Sequence, residues 1–303
     1  MANITLRQLR YFKAVAQHGH FGQAAEASAV SQPALSVQIK ELEERLGCTL
    51  FEREPRAVRL TGLGAELLER AEGILQSVDE LENLARAAQG RLSGALRIGV
   101  IPTIAPYLLP GLLGDLARSH PELDIRMRET MTSTLLAELG QGRLDLAILA
   151  LPVSEPNLEE ADLFDERFVL IRPEGEDSLP VPDPASLSER RLLLLEEGHC
   201  FRDQALSFCG ISASTGVRQK TLDGSSLTTL VRMVEAGFGV TLIPEMAVDA
   251  ETRAARVSVA RFNGPAPARR VGMVWRKSDP MRGHYRELAE QITGGQGTAR
   301  ATV

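Results

Sequence analysis

The stretch Val30-Ser-Gln-Pro-Ala-Leu-Ser-Val-Gln-Ile-Lys-Glu-Leu-Glu-Glu-Arg-Leu-Gly47 decides how the N-terminal part of the chain is read. Ser31 is a natural helix cap, because its hydroxyl can accept from a first-turn amide that has no carbonyl partner. Pro33 is tolerated just inside, where its missing N–H would be orphaned anyway. Leu35, Ile39, Leu42 and Leu46 then fall on one face, leaving Gln32, Ser36, Gln38 and Lys40 exposed. Upstream, Leu6, Leu9, Phe12, Val15 and Ala16 give a first apolar helix face, and Phe21, Ala24, Ala25 and Ala27 a short second one that can pack closely. Two short helices joined by a tight turn make a helix-turn-helix that can place the start of its second helix in a major groove. Arg53, Arg56 and Arg59 follow around Pro55 as a basic hairpin or wing suited to phosphates. The plainer alternative is a three-helix packing unit with a solvated polar face.

Composition bounds the remainder. At 303 residues, with 44% apolar and 24% charged residues, the chain is an ordinary globular protein long enough for two or three domains. A net charge of −6 argues against wholesale coating of nucleic acid. A local site is still allowed, since residues 1–60 hold eight Lys and Arg against six Asp and Glu. No run approaches the roughly 18 apolar residues of a membrane span, and the N-terminus lacks the charged and apolar regions of a signal peptide. A cytoplasmic location with no membrane partner is expected. There the three cysteines would normally be reduced, so a disulfide would be transient and regulatory.

Thr61 caps the next segment, which carries Leu67, Ala71, Ile74, Val78, Leu81 and Ala85 at alternating spacings of four and three. That heptad seam favours a paired helix, about 40 Å long at 1.5 Å per residue, over one packed only on its own domain. Gly90 and Ser93-Gly94 read as a hinge. From Ala95 strands alternate with helices: strands at 96–101, 124–128 and 144–151 with helices near 105–118 and 132–140 make a βαβαβ unit. A second α/β lobe follows, with strands at 164–171, 192–195 and 240–243 and a helix at 225–236. The strand Arg270–Trp275 is expected to return to the first lobe, and residues after about Gly294 to form a frayed tail.

Within the second lobe, Leu192-Leu-Leu-Leu-Glu-Glu-Gly-His-Cys200-Phe-Arg-Asp-Gln-Ala-Leu-Ser-Phe-Cys209-Gly reads as a buried strand running into a short helix. Gly198 turns the chain so that Cys200 falls in the first turn. The unpaired amides and positive dipole end there favour thiolate over thiol, and His199 and Arg202 add donors nearby. A reactive cysteine with a second one close by is the pattern of a redox sensor with a resolving partner. The plainer alternative is two small core residues, as Cys48 beside Gly47 is read to be. Polar groups for a cleft between the lobes come from strand ends and helix starts: Thr103, Thr132 and Ser225-Ser226.

Phe21-Gly-Gln-Ala-Ala-Glu26, Val30 through Gly47, and Leu50-Phe-Glu-Arg53 closely resemble the N-terminal winged helix-turn-helix of LysR-type transcriptional regulators. The resemblance implies that Gln32, Pro33, Ser36 and Lys40 lie on or near the DNA-recognition helix and that Arg53 and Arg59 belong to the wing. It implies an α plus α/β architecture. Residues 1–60 form the DNA-binding domain and 61–92 a dimerising linker helix and hinge. Residues 93–303 form a two-lobed α/β regulatory domain similar to periplasmic binding proteins, with lobes of about 93–163 plus 268–294, and 164–267. Gly198-His-Cys-Phe-Arg-Asp-Gln-Ala205 with Cys209, together with Ile101-Pro-Thr103 and Pro106-Tyr-Leu-Leu-Pro110, resembles the peroxide-sensing members of that family. That narrower likeness implies a peroxidatic Cys200, a resolving Cys209, and a peroxide pocket of Thr103, Thr132, His199, Asp203 and Arg269. At the last of these a one-residue shift would substitute Arg270. It also implies partners: double-stranded promoter DNA, hydrogen peroxide, RNA polymerase, a disulfide reductant such as glutaredoxin or thioredoxin, and further copies of the chain in a homotetramer built as a dimer of dimers.

Two other function classes stand beside a peroxide-switched activator of antioxidant genes. One is a regulator of the same fold switched by a small organic ligand in the inter-lobe cleft, with incidental cysteines. The other is an enzyme, which is disfavoured because the sequence shows no Ser-His-Asp order, no metal-ligand cluster and no Gly-rich phosphate loop. No cofactor is expected.

Overall fold

A computed structural model describes residues 4–54, 57–87, 92–182, 187, 190–210, 222–262 and 266–299. The chain divides into two compact units, residues 1–88 and 89–303. The expectations placed on Arg56, on the Gly90 hinge and on the last residues of the tail lie outside the described residues.

In the first unit α1 (Leu6–His18), α2 (Phe21–Ala27) and α3 (Gln32–Leu46) are followed by an antiparallel hairpin of β1 (Phe51–Glu54) and β2 (Ala57–Leu60), then by α4 (Gly62–Ala87). The helix ends follow local rules. Thr5 and Gln8 form a reciprocal capping box on α1, and the Ser31 hydroxyl accepts from the Ala34 amide at 3.4 Å. Gly19 and Gly47, both left-handed, end α1 and α3. Phe51 closes the core, its ring edge-on to Phe12 and Phe21 with centroids 5.5 and 6.1 Å apart. The Glu43 carboxylate accepts from the Leu50 and Phe51 amides at 2.8 and 3.3 Å, which ties α3 to the hairpin. On α4 the expected single seam divides in two. Ala71 and Leu75, with Leu67 and Leu68, join the core of this unit, whereas Ile74 and Leu81 are 50% and 67% exposed.

The second unit opens with β3 (Gly94–Val100), α5 (Ala105–Ser119), β4 (Leu123–Glu129), α6 (Thr132–Gly140) and β5 (Leu146–Leu151). The three strands are parallel in the order β4-β3-β5, the arrangement a βαβαβ chain must take. Next comes β6 (Leu158–Pro173), 16 residues long where the sequence suggested a shorter strand. Through Arg167 it pairs antiparallel with β11 (Ala268–Arg276), which also pairs antiparallel with β5. From Phe168 onward β6 pairs instead with β9 (Val240–Pro244), and near its end with β10 (Val257–Ala260). Thus β6 carries the chain out of the first lobe and β11 brings it back. In the second lobe β7 (Leu192–Leu195) lies parallel between β9 and β8 (Leu222–Gly224), and all four of its leucines are buried. Helices α7 (Cys200–Phe208), α8 (Leu227–Glu235), α9 (Val248–Thr252) and α10 (Arg282–Ala299) complete the described elements of this unit. The short β8 and β10 have no counterpart in the sequence reading, since neither carries an unbroken apolar run.

Where the two crossing strands lie side by side, β11 shifts register between Val271 and Gly272. A methyl on Gly272 would overlap the Leu151 side chain and stand 2.8 Å from the Ala161 carbonyl oxygen, whereas one on Gly111 in α5 meets nothing within 4 Å. Gly272→Ala is therefore expected to lower the unfolding free energy by about 1–3 kcal/mol. Gly111→Ala is expected to leave it unchanged or raise it by up to about 1 kcal/mol, through lost freedom of the unfolded chain. Urea titration of both variants checks this.

Candidate functional site

Three segments meet between the lobes: Ile101-Pro102-Thr103 leading into α5, Met131-Thr132 opening α6, and Gly198-His199-Cys200-Phe201 opening α7. They line a cavity of about 10 Å³, about the room one water-sized molecule needs. Gly198 makes the last segment possible, since its φ of +98° is a left-handed turn that a side chain would strain. None of the three helices carries a side-chain cap, so three helix N-termini turn their positive ends on the cavity. Such an arrangement favours negative charge on sulfur or oxygen placed there. Thr132 adds a hydroxyl whose oxygen is buried without a hydrogen-bond partner among the described residues. Cys200 is half-buried in the same wall.

Behind Thr103 lies the most deeply buried charge pair of the described residues. Arg269 and Glu166 have 0% and 1% of their side chains exposed, and Nε of Arg269 donates to the carboxylate at 2.7 Å. The other guanidinium nitrogens donate to the Thr103 hydroxyl at 2.7 Å and to the Thr103 carbonyl at 3.0 Å. This leaves the Thr103 O–H free to donate toward the cavity and fixes the direction of its lone pairs. Thr103 does not cap α5; its hydroxyl oxygen accepts from Arg269. The guanidinium carbon also sits 5.6 Å from the Phe201 ring centroid and 6.0 Å from that of Phe168, within cation–π range. Phe201, the residue after Cys200, packs on Phe168 with centroids 4.6 Å apart.

Of the five residues expected around the cavity, Thr103, Thr132 and His199 line it with Cys200, and Arg269 reaches it through Thr103. Arg270 is ruled out of that role, because neighbouring strand residues face opposite ways and its side chain is exposed, 3.4 Å from Asp162. Asp203 is a correction: it is exposed in the first turn of α7, where a carboxylate complements the helix dipole, and it does not line the cavity. Ser226 is another, its hydroxyl accepting from the Thr229 amide to cap α8. Glu166, the partner that lets Arg269 be buried, belongs to no motif or spacing that would mark it in the sequence.

Burial holds the His199 imidazole below the usual histidine range, so the ring is neutral at pH 7, and its resistance to protonation costs stability as pH falls through the unfolded value. Cys209, the residue that caps the C-terminus of α7, is buried, and desolvation pushes its thiol up to about 11. Cys48, Cys200 and Cys209 are all free. Cys48 is half-buried against the core of the first unit. In that unit Gln32, Pro33 and Lys40 are exposed on α3 and Ser36 is half-buried, Arg59 is exposed on β2, and Arg53 lies on β1. A hydrogen bond of 2.7 Å from the Tyr107 hydroxyl on α5 to Glu251 on α9 further joins the two lobes.

Residues 6–65 match the bacterial regulatory helix-turn-helix proteins of the lysR family, and residues 89–296 match the LysR substrate binding domain. The chain belongs to the LysR family of DNA-binding transcriptional regulators. It is 46% identical over 294 residues to a probable hydrogen peroxide-inducible genes activator of Streptomyces viridosporus, covering 95% of this chain and 93% of the relative. It is 40% identical over 297 residues to the DNA-binding transcriptional dual regulator OxyR of Escherichia coli (strain K12), covering 95% of each. Full-length OxyR from Pseudomonas aeruginosa superposes with a TM-score of 0.72 at 39% identity, covering 96% of this chain and 95% of that one. A hydrogen peroxide-bound cysteine-to-serine mutant of Corynebacterium glutamicum OxyR gives 0.66 at 35% identity, covering 98% and 94%.

The two adjacent arginines should separate cleanly in stability measurements. Arg269→Met deprives a buried carboxylate of its guanidinium and is expected to cost about 3–5 kcal/mol. Arg270→Met removes only exposed pairs and is expected to cost less than about 1 kcal/mol. Urea unfolding of the two variants, followed by circular dichroism, gives both values.

Proposed function

We propose that the chain is a hydrogen peroxide-sensing transcriptional activator of antioxidant genes, switched by oxidation of Cys200. The observation that carries this reading is the size and lining of the cavity beside Cys200. About 10 Å³ bounded by Cys200, His199 and two threonines is on the scale of a very small polar molecule and far below the roughly 300–1,000 Å³ of a pocket for an organic inducer. The Thr103 and Thr132 hydroxyls can orient the peroxide by donating and accepting, while three helix N-termini stabilise charge on sulfur and on the departing oxygen. The Cys200 thiolate attacks one peroxide oxygen, the O–O bond breaks, hydroxide leaves, and the sulfur is left as a sulfenic acid.

Cys209 then resolves the sulfenic acid: its thiol loses a proton, the thiolate attacks the Cys200 sulfur, the S–O bond breaks, and the departing hydroxide takes up a proton to leave as water. With Cys200 the first residue of α7 and Cys209 its cap, nine residues of helix put them about 13 Å apart along the axis. A disulfide tolerates at most about 7 Å between Cα atoms. Cys209 must also leave its buried site before its thiol, at about 11, can ionise usefully. Resolution therefore requires α7 to unwind. This withdraws Phe201 from Arg269 and Phe168, and so carries the oxidation signal to the strands that join the lobes.

The remaining roles follow the same reading. Gln32, Pro33, Ser36 and Lys40 face promoter DNA, with Arg53 and Arg59 on phosphate. The exposed stripe of Ile74 and Leu81 on α4 pairs two copies of the chain, two such pairs form a tetramer, and the protein acts in the cytoplasm through RNA polymerase. A thioredoxin or glutaredoxin resets the disulfide.

Mass spectrometry after about one equivalent of hydrogen peroxide should find a disulfide between Cys200 and Cys209 in the wild type. In Cys200→Ser it should be absent, with thermal stability and DNA binding of the reduced form retained, and Thr103→Val should form it more slowly. An unchanged transcriptional response in Cys200→Ser overturns the proposal. On DNA, Gln32→Ala is expected to relax sequence preference, while Arg59→Ala weakens binding to all sequences and lowers the salt slope by about 1. Binding isotherms over a salt series, on a selected and on a random duplex, distinguish the two.

A further inference from the structure

The face of α3 that points directly away from the core is apolar over its N-terminal part, at Pro33 and Val37, and charged further on, at Lys40 and Glu44. Leu35, Ile39 and Leu42 are fully buried, so at 3.6 residues per turn the outward direction falls on Val37, which is 54% exposed. Pro33 and Ala34, one turn earlier, are exposed beside it, and the three form one wall of an open groove whose far side carries Arg7 of α1. The polar residues around Val37 are engaged along the helix: Gln38 donates to Glu41 at 3.2 Å, and Lys40 lies 3.6 Å from Glu44. A helix that enters a major groove with such a centre presents methyl groups where a hydrogen-bonding side chain would otherwise read a base. The only apolar group that the major-groove edges of the four bases offer is the C5-methyl of thymine.

We infer that Val37 is a specificity-determining residue that recognises a thymine methyl in the major groove, with Ala34 and Pro33 completing the apolar surface around it. The patch is continuous with Gln32, Ser36 and Lys40 on the same helix, and the inference rests on the DNA-reading role proposed for them. Removal of one buried methyl group corresponds to about a fourfold change in affinity.

Deoxyuridine lacks only that methyl and pairs as thymidine does, so it tests the contact directly. The full-length reduced protein is used to select its preferred duplex from a random library, and each thymine of that duplex is then replaced singly by deoxyuridine. The wild type is expected to lose about fourfold at one thymine or more. Val37→Ala should bind the thymine and uracil duplexes equally at that position, and Val37→Ile should keep the discrimination. Since Val37 is exposed, both variants should melt as the wild type does, which a thermal scan checks. The inference is overturned if every uracil substitution is neutral in the wild type, or if the loss persists in Val37→Ala. A library that yields no sequence preferred over random DNA overturns the DNA-reading role itself, and this inference with it.

Discussion

A guanidinium shut away from water in the middle of the regulatory unit sets the terms for what surrounds it. Removing Arg269 and Glu166 from solvent costs several kcal/mol per ion before any contact is made. Their pairing repays that cost only with good geometry and with partners for the remaining donors. Thr103 supplies two of those partners and the Met246 amide donates to Glu166, so the pair binds β11, β6, the turn before α5 and the start of the segment after β9 into one arrangement. Phe168 and Phe201 cover it with ring faces, which accept a cation more readily than aliphatic carbon would. Cys200 immediately precedes one of those rings, Phe201. On the proposed mechanism, chemistry at Cys200 would reach the strands between the lobes through a contact too costly to leave half-made.

The cavity itself is kept small by short elements. Three turns, each closing a strand-to-helix passage, deliver three, two and four residues in chain order, and only their convergence makes a site. A proline and a glycine are needed within them, and the hydroxyls come from the first residue of a helix or the residue or two before one. Neutral His199 adds a donor and an acceptor to the wall at neutral pH without adding charge.

How much of this was legible in the sequence depended on the range of the interactions. The helix-turn-helix could be read residue by residue, because Ser31, Gly47 and the Leu35, Ile39, Leu42 spacing act within two turns of chain. The βαβαβ unit was legible for the same reason, β5 being fully apolar, β4 alternating apolar with charged residues, and the helices amphipathic. Long-range partnerships left no such trace. Arg269 meets Glu166 across 103 positions and Thr103 across 166, and neither spacing has a periodic signature. Whether Arg269 or Arg270 turned inward was a question of strand register, which flips with a single residue and is set only when β11 is laid between β5 and β6. Asp203 was placed at the cavity by the family resemblance, and Ser226 by its position at a helix start. Each serves its own helix end instead, a strictly local use that competes for polar residues at helix starts.

The helix between the two cysteines has a further consequence in electrochemical terms. Phe201 and Leu206 are buried from α7, and a side chain of that size contributes about 1.5–3 kcal/mol when taken out of water. In the proposed switch, whatever packing the dithiol form has and a disulfide form would lack raises the midpoint potential of the couple by about 30 mV for every 1.4 kcal/mol. Two such side chains thus span a range of roughly 65–130 mV. If Cys200 and Cys209 form the couple proposed above, the threshold at which the protein changes state is a property of its hydrophobic packing as much as of its sulfur chemistry, and substitutions in α7 that never touch peroxide would retune it to a more reducing or a more oxidising cell.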